Sequence, residues 1–214
     1  MLEKRKKTYG LVIIMIAALL ALQGCSNQNN RDKAFTYLEK SASQESGFND
    51  QQNPLIEEEK AEQGLYEKIM DLDITKYDQI KEYSDQALKH IDAREKIMKK
   101  EKVSIDKAYN TYKEAEPYIK KIDNKEAKSH AEKMMANMDK RYKAFQDLYN
   151  TYMNSIHYDR DLFKMLEDKN LTKDTLEKHL TKVNDAYKKI DEQKDRFNRL
   201  TDSFNDEKKQ FYKT

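Results

Sequence analysis

Tyr77, Ser84, Ile91, Met98, Ile105, Tyr112 and Ile119 stand seven residues apart, and Ile80, Ala87, Arg94, Glu101, Ala108, Ala115 and Ile122 follow each by three. Interleaved sevens of this kind are the a and d positions of a helix packed on a neighbour. The seam predicts one long helix from Asp73, its N-cap, to a tight turn at Asp123-Asn124. Pro117 should kink it, because proline removes a backbone donor. Met138, Phe145, Tyr152, Asp159 and Leu166, flanked by Met134, Leu148 and Leu162, predict a second helix from about Lys125 to Asp168. After Lys169-Asn170-Leu171, with Thr172 as N-cap, comes the most regular run: Leu176, Val183, Ile190, Phe197, Phe204 and Phe211.

Two short turns force neighbouring helices antiparallel, and a seven-residue period imposes a left-handed supercoil. The expected fold is therefore all-α, an elongated antiparallel three-helix bundle of the spectrin-like up-down-up kind, with short N-terminal helices before it. Helices of roughly 40–50 residues would be about 60–75 Å long, and residues 73–214 should suffice for the rod. Separate parallel coiled-coil oligomers are the alternative, which the short turns disfavour.

The pattern weakens upstream. Ser26 to Lys33 is polar and reads as a spacer, and Ala34 to Ser43 makes a short helix through Phe35 and Leu38. Gln44 to Pro54 reads as a loop, with Pro54 opening a helix that runs to about Met70 through Leu65 and Ile69. Residues 25–54 are thus expected to be a tether and residues 55–214 the helical bundle.

Composition supports this division. The 214 residues include 37% charged and 37% hydrophobic residues, but only 4 Gly and 2 Pro. So few turn formers exclude all-β and α/β domains, and with them the two-lobed cleft of a transporter's solute-binding protein. Residues 25–214 carry 37 basic and 38 acidic side chains, so the formal net charge of +2 becomes −1 without the first 24. Near-neutral charge with abundant Ile, Leu, Phe and Tyr argues against disorder.

Those first 24 residues read as a signal peptide. Lys4-Arg5-Lys6-Lys7 precede the apolar run Leu11 to Leu22, which is too short to span a bilayer of roughly 30 Å at 1.5 Å per residue. Leu22-Gln23-Gly24-Cys25 then resembles a bacterial lipobox, with Gln23 departing from the small residue favoured there. The resemblance implies cleavage before Cys25, a diacylglycerol thioether on its sulfur and acylation of the new amino terminus. Several acyl chains hold a protein on a membrane where one does not, at about 0.8 kcal/mol per buried CH₂. A short anchor helix with a fortuitous Cys is the bland alternative. Cys25 is the only cysteine, and an exported thiol would otherwise stay unpaired.

No catalytic constellation stands out. His90, His130, His157 and His179 are scattered over three helices, and His157 with Asp161 gives two potential ligands where zinc needs at least three. We therefore expect no catalytic residues, no metal and no cofactor. The tyrosines Tyr109, Tyr112, Tyr142, Tyr149 and Tyr152 read as core-boundary packing before a sugar-stacking surface. Met134, Met135 and Met138 read as core filler before an adaptable partner groove. Arg94 and Glu101 either form a buried polar layer that fixes register or snorkel to the surface.

One charge asymmetry remains. Lys120, Lys121, Lys125 and Lys128 surround the Asp123 hairpin, and an antiparallel rod brings Lys208, Lys209 and Lys213 to the same end. If the helix start near Asp73 stays by the membrane, this basic tip lies roughly 70 Å out, where an anionic polymer would be met. A bland solvated tip is the alternative. No basic stripe suits nucleic acid.

With the lipobox, the stretch Tyr77 to Ile105 (YDQIKEYSDQALKHIDAREKIMKKEKVSI), notably Arg94-Glu95-Lys96 and Glu101-Lys102, resembles the YkyA-like lipoproteins of Gram-positive bacteria, a family described as cell-wall binding. The resemblance implies an all-helical bundle anchored on the extracytoplasmic face of the cell membrane. The expected role is a non-catalytic binding or spacer protein at the membrane–wall interface. Its partners would be the membrane, through the lipid, and an anionic wall polymer or peptidoglycan. The alternative is an interaction module that recruits another envelope protein through its helix faces.

Overall fold

Asn124 shows how the sequence sets its own helix starts. Its side-chain oxygen accepts from the backbone N–H groups of Glu126 and Ala127 at 2.9 and 3.0 Å, satisfying donors that the first turn leaves without partners. Thr172 does the same for Thr175 at 3.3 Å. Asp73 does not: its carboxylate accepts from Thr75 N–H at 2.8 Å inside a turn, and the helix begins four residues later at Tyr77.

The computed structural model describes residues 30–214, which form α1 (Asn30–Gln44), α2 (Ser46–Met70), α3 (Tyr77–Lys113), α4 (Glu116–Ile119), α5 (Lys125–Leu166) and α6 (Lys173–Lys213). No strand occurs among the described residues. The signal segment and the lipobox residues Leu22, Gln23, Gly24 and Cys25 lie outside them.

The bundle has four helical legs rather than the expected three. α1 and α2, interrupted only at Glu45, run as one leg along α3. Residues 30–54, expected as a tether, a short helix and a loop, are α1 and the first part of α2. Burial explains why: Ala34, Leu38 and Phe48 are in the core, and Phe48 meets Phe145 and Phe197 at ring-centroid distances of 5.9 and 6.1 Å. Pro54 does not open a helix but sits inside α2, where this packing outweighs the loss of one backbone hydrogen bond. Two serines stitch the leg to α3: Ser41 Oγ donates to the Ala108 carbonyl at 2.7 Å, and Ser104 Oγ to that of Gln44 at 2.6 Å. Gly47 permits the close approach, since a Cβ there would stand 3.1 Å from Ser104 Oγ.

The second leg is α3 with α4. The break at residues 114–115 falls just before Pro117, which occupies the first turn of α4, where its missing N–H costs nothing. Every position of the two interleaved sevens from Ile80 to Ile122 is buried, including Ser84, Arg94 and Glu101. The turns at 71–76, 120–124 and 167–172 make successive legs antiparallel. At one end Tyr77 Oη donates to the Glu167 carbonyl at 2.8 Å. At the other, the Asn30 amide donates to the Lys121 carbonyl at 3.1 Å, and Arg31 to that of Phe211 at 3.1 Å. The 41 residues of α6 set the length of the bundle, about 60 Å on the helical rise.

Candidate functional site

The interior holds three apolar clusters separated by charge. Near the Asp73 turn, Leu65, Ile69, Ile80, Ile91, Ile156 and Phe163 pack together. In the middle, Phe48, Ile105, Phe145 and Phe197 do so. Near the Asp123 turn, Leu38, Tyr112, Ile119, Met134, Met138 and Phe211 do so. Met134, Met135 and Met138 are all buried, which is the core-filler reading. The five tyrosines split: Tyr112 and Tyr152 are buried, Tyr149 is half-buried under Lys102, and Tyr109 and Tyr142 stack in parallel at 3.8 Å on the edge of the bundle. Their hydroxyls donate to Asp139 and Asp106 at 2.9 and 3.0 Å.

Arg94 is the centre of a polar layer inside the first of these clusters, with Ile91 and Met98 of that cluster on either side of it along α3. It is fully buried, and its guanidinium donates to Glu62 of α2, to Asp159 of α5 at 2.9 Å and to the Tyr187 hydroxyl of α6 at 2.9 Å. Its Nε reaches the Tyr152 hydroxyl at 3.2 Å, and that hydroxyl in turn donates to Glu59. The Tyr187 hydroxyl donates to Asp159. One side chain therefore ties all four legs together. Burial alone would push the Arg94 pKa down, but the negative field of Glu62, the neighbouring tyrosines and Asp159 carries it well above its ordinary value.

Glu101, paired with Arg94 in the sequence reading, is 3% exposed but belongs to a different contact. It accepts from Gln52 at 2.9 Å. Burial, helped by the charge of Glu59, pushes its carboxyl up to about 8, so it is protonated at neutral pH. A second buried charge, Arg141, stands seven residues from both Met134 and Leu148, so it lies on the flanking stripe of its helix, a position the sequence reading passed over. Arg141 forks onto Glu45 at 2.7 and 2.8 Å, donates to Thr201 Oγ at 2.8 Å and stacks 4.8 Å over Phe197. These ionisable groups satisfy one another within the core.

The surface offers less. Between α5 and α6 lies a shallow open depression lined by Thr151, Asn154, Tyr158, Lys182, Asp185 and Lys189. His157 and Asp161 are exposed on α5.

All seven predicted lysines do gather at one end. Lys120 pairs with Glu116 at 2.7 Å, Lys208 with Glu39 at 3.3 Å, and Lys128 donates to the Lys120 carbonyl at 2.9 Å. Lys121, Lys125, Lys209 and Lys213 are exposed and make no ion pair among the described residues. The described chain starts at this same end, with Asn30 bonded to Lys121, whereas the sequence placed the lysines about 70 Å out on the condition that the helix start near Asp73 stays by the membrane. The first leg accounts for the difference: residues 30–54, expected mostly as tether, run along α3 and bring the start of the described chain to the end opposite the Asp73 turn.

No helix among the described residues is long and apolar enough to cross a membrane. An elongated four-legged helical bundle, its core crossed by buried ion pairs, is the class of protein this architecture defines. The chain belongs to the YkyA family, described as "Putative cell-wall binding lipoprotein", whose family model matches residues 29–214. It is 33% identical over 208 residues to "Uncharacterized lipoprotein YkyA" of Bacillus subtilis (strain 168), covering 97% of this chain and 93% of that one. The fold is similar to a crystal structure of a conserved protein of unknown function from Staphylococcus aureus, with a TM-score of 0.68 at 18% identity over 88% of this chain and 98% of that one.

Proposed function

We propose that this chain is a lipid-anchored, non-catalytic spacer and binding protein on the extracytoplasmic face of the cell membrane, meeting the cell wall. The observation that carries the reading is the short stretch of chain between Cys25 and the first described helix: α1 starts at Asn30, five residues after Cys25 of the lipobox-like sequence. Five residues span at most about 18 Å, so an acylated Cys25 would hold a rod of about 60 Å close against the bilayer. The family description supports wall contact. With the lysine end next to the anchor, that contact falls on the helix faces, the α5–α6 depression among them, and on the turns at 71–76 and 167–172.

Two measurements test this reading. Cells expressing the full chain with labelled palmitate should give a labelled, membrane-bound protein, and Cys25→Ser should abolish the label. Persistent labelling of the variant would remove the anchor. Purified sacculi should retain the protein, and failure to retain it would remove the wall-binding part and leave the spacer.

A further inference from the structure

We infer that the lysine-bearing end of the bundle is a contact surface for anionic phospholipid headgroups, which stands the rod upright on its own membrane. The inference rests on the anchoring at Cys25 proposed above for its setting, but the surface itself is built from described residues.

The charge is strongly asymmetric along the rod. Residues 30–33, 118–128 and 208–214, which form this end, hold nine Lys or Arg against three Asp or Glu. Residues 66–81 and 163–178, which form the opposite end, hold seven against eight. The excess is presented outward. Lys121 and Lys125 flank the Asp123 turn, Lys209 and Lys213 lie in the last turns of α6, and all four are exposed without an ion pair among the described residues. Nearby acids are already engaged: Glu116 by Lys113 and Lys120, and Glu39 by Lys208.

The platform beneath them is rigid. Asn30 and Arg31 bond the carbonyls of Lys121 and Phe211, and Phe35 packs on Phe211 and Tyr212 at 5.0 and 4.6 Å. The three strands of chain at this end are therefore locked together, and the lysines move as one unit. Clustered lysines near a bilayer are attracted by its negative surface potential within about one Debye length, roughly 10 Å at 0.1 M salt. A lead of five residues lets them come inside that range and supplies a millimolar-scale effective concentration. A contact that a free protein makes only at high lipid concentration is then well populated at the cell surface. Without it a rod on a short lead would tilt freely. With it, the turns at 71–76 and 167–172 are held about 60 Å from the headgroups.

The test uses the chain from Cys25 to Thr214 without acyl groups, so that only the protein surface can bind. It is co-sedimented with vesicles of phosphatidylcholine alone and of phosphatidylcholine mixed with phosphatidylglycerol. We expect binding to the mixed vesicles only, lost as salt rises from about 0.1 M to 1 M. Replacing Lys121, Lys125, Lys209 and Lys213 with Gln should weaken it at least about tenfold. The same replacement of Lys76, Lys169, Lys173 and Lys178 at the other end should leave it unchanged. Equal binding to both vesicle types, or equal losses from both sets of substitutions, overturns the inference. Because no acyl chain is present, the result is independent of the palmitate experiment, so the two readings fail separately.

Discussion

Arg94 and Asp159 lie 65 positions apart in the chain and meet at 2.9 Å in the middle of the bundle, both without solvent exposure. Glu62 accepts from the same guanidinium nitrogen, so two carboxyl groups face one cation at the centre of the layer. Taking these groups out of water is costly, and their mutual attraction offsets that cost only while all partners are present. Arg94→Met should therefore destabilise the protein by about 3–5 kcal/mol in urea unfolding, since it leaves two buried carboxylates without a cation. Replacing Arg94, Glu62 and Asp159 together with Met or Leu should recover most of the loss. A triple variant as weak as the single one would mean that the layer stabilises by more than charge neutralisation.

Glu101 gives a pH dependence with a definite sign. Its carboxyl stands at about 8 in the folded protein against 4.5 for the unperturbed group. Between those values the folded state holds a proton that the unfolded chain releases, so stability falls as pH rises. The contribution is complete below about 4.5 and is lost as the pH climbs through about 8. Glu101→Gln keeps a hydrogen-bonding partner for Gln52 and cannot ionise. The melting temperature of the variant should exceed that of the parent by more at pH 8.5 than at pH 5. A difference independent of pH would show that Glu101 is charged in the folded state throughout.

Much of this interior was legible in the sequence. The sevens from Ile80 to Ile122 and from Val183 to Phe211 are helical seams, and the turns at Asn124 and Thr172 have the caps their side chains suggest. The break near Pro117 follows from its missing donor. What failed was the first leg. Its sevens, Ala34, Ser41, Phe48, Leu55, Glu62 and Ile69, run unbroken past Glu45, but the polar Ser41 and Glu62 among them hide the stripe. Pro54 and Gly47 also read locally as loop signals. Only contacts distant in sequence, Phe48 on Phe145 and Phe197, decide that this segment is helical. The buried layer was half legible: Arg94, Glu101 and Asp159 occupy seam positions where an apolar residue is the norm. Their partners Glu62 and Gln52 lie on the leg whose period was hidden.

Glu45 is the hinge between α1 and α2 and also the carboxylate that Arg141 clasps. Removing it frees α1 from the bundle and leaves the Arg141 guanidinium with Thr201, Met138 and the face of Phe197. Glu45→Ala should cost about 2–3 kcal/mol, less than a fully enclosed pair because Glu45 is partly exposed. Hydrogen exchange should locate the effect: amides of residues 34–44 lose protection while those of α5 keep theirs. Uniform loss across the bundle would show that α1 does not open on its own.

The four-legged architecture bears directly on truncation. A three-helix rod of residues 73–214 would be complete without α1 and α2. In the structure, however, Leu65, Tyr66 and Ile69 cover Ile80, Ile91 and Phe163, and Phe48 covers Phe145 and Phe197. Deleting residues 30–72 exposes this face and strips Arg94 of Glu62 and Glu59. Each uncovered large side chain forfeits about 1.5–3 kcal/mol of burial, so the five together are comparable to the roughly 5–15 kcal/mol typical of a whole domain. Residues 73–214 should retain helical circular dichroism but bind hydrophobic dyes and unfold without a sharp transition. The chain from Asn30 should unfold cooperatively. A truncated protein that melted sharply, with no dye binding, would show that α3, α5 and α6 close a core of their own and that the first leg only lies against it.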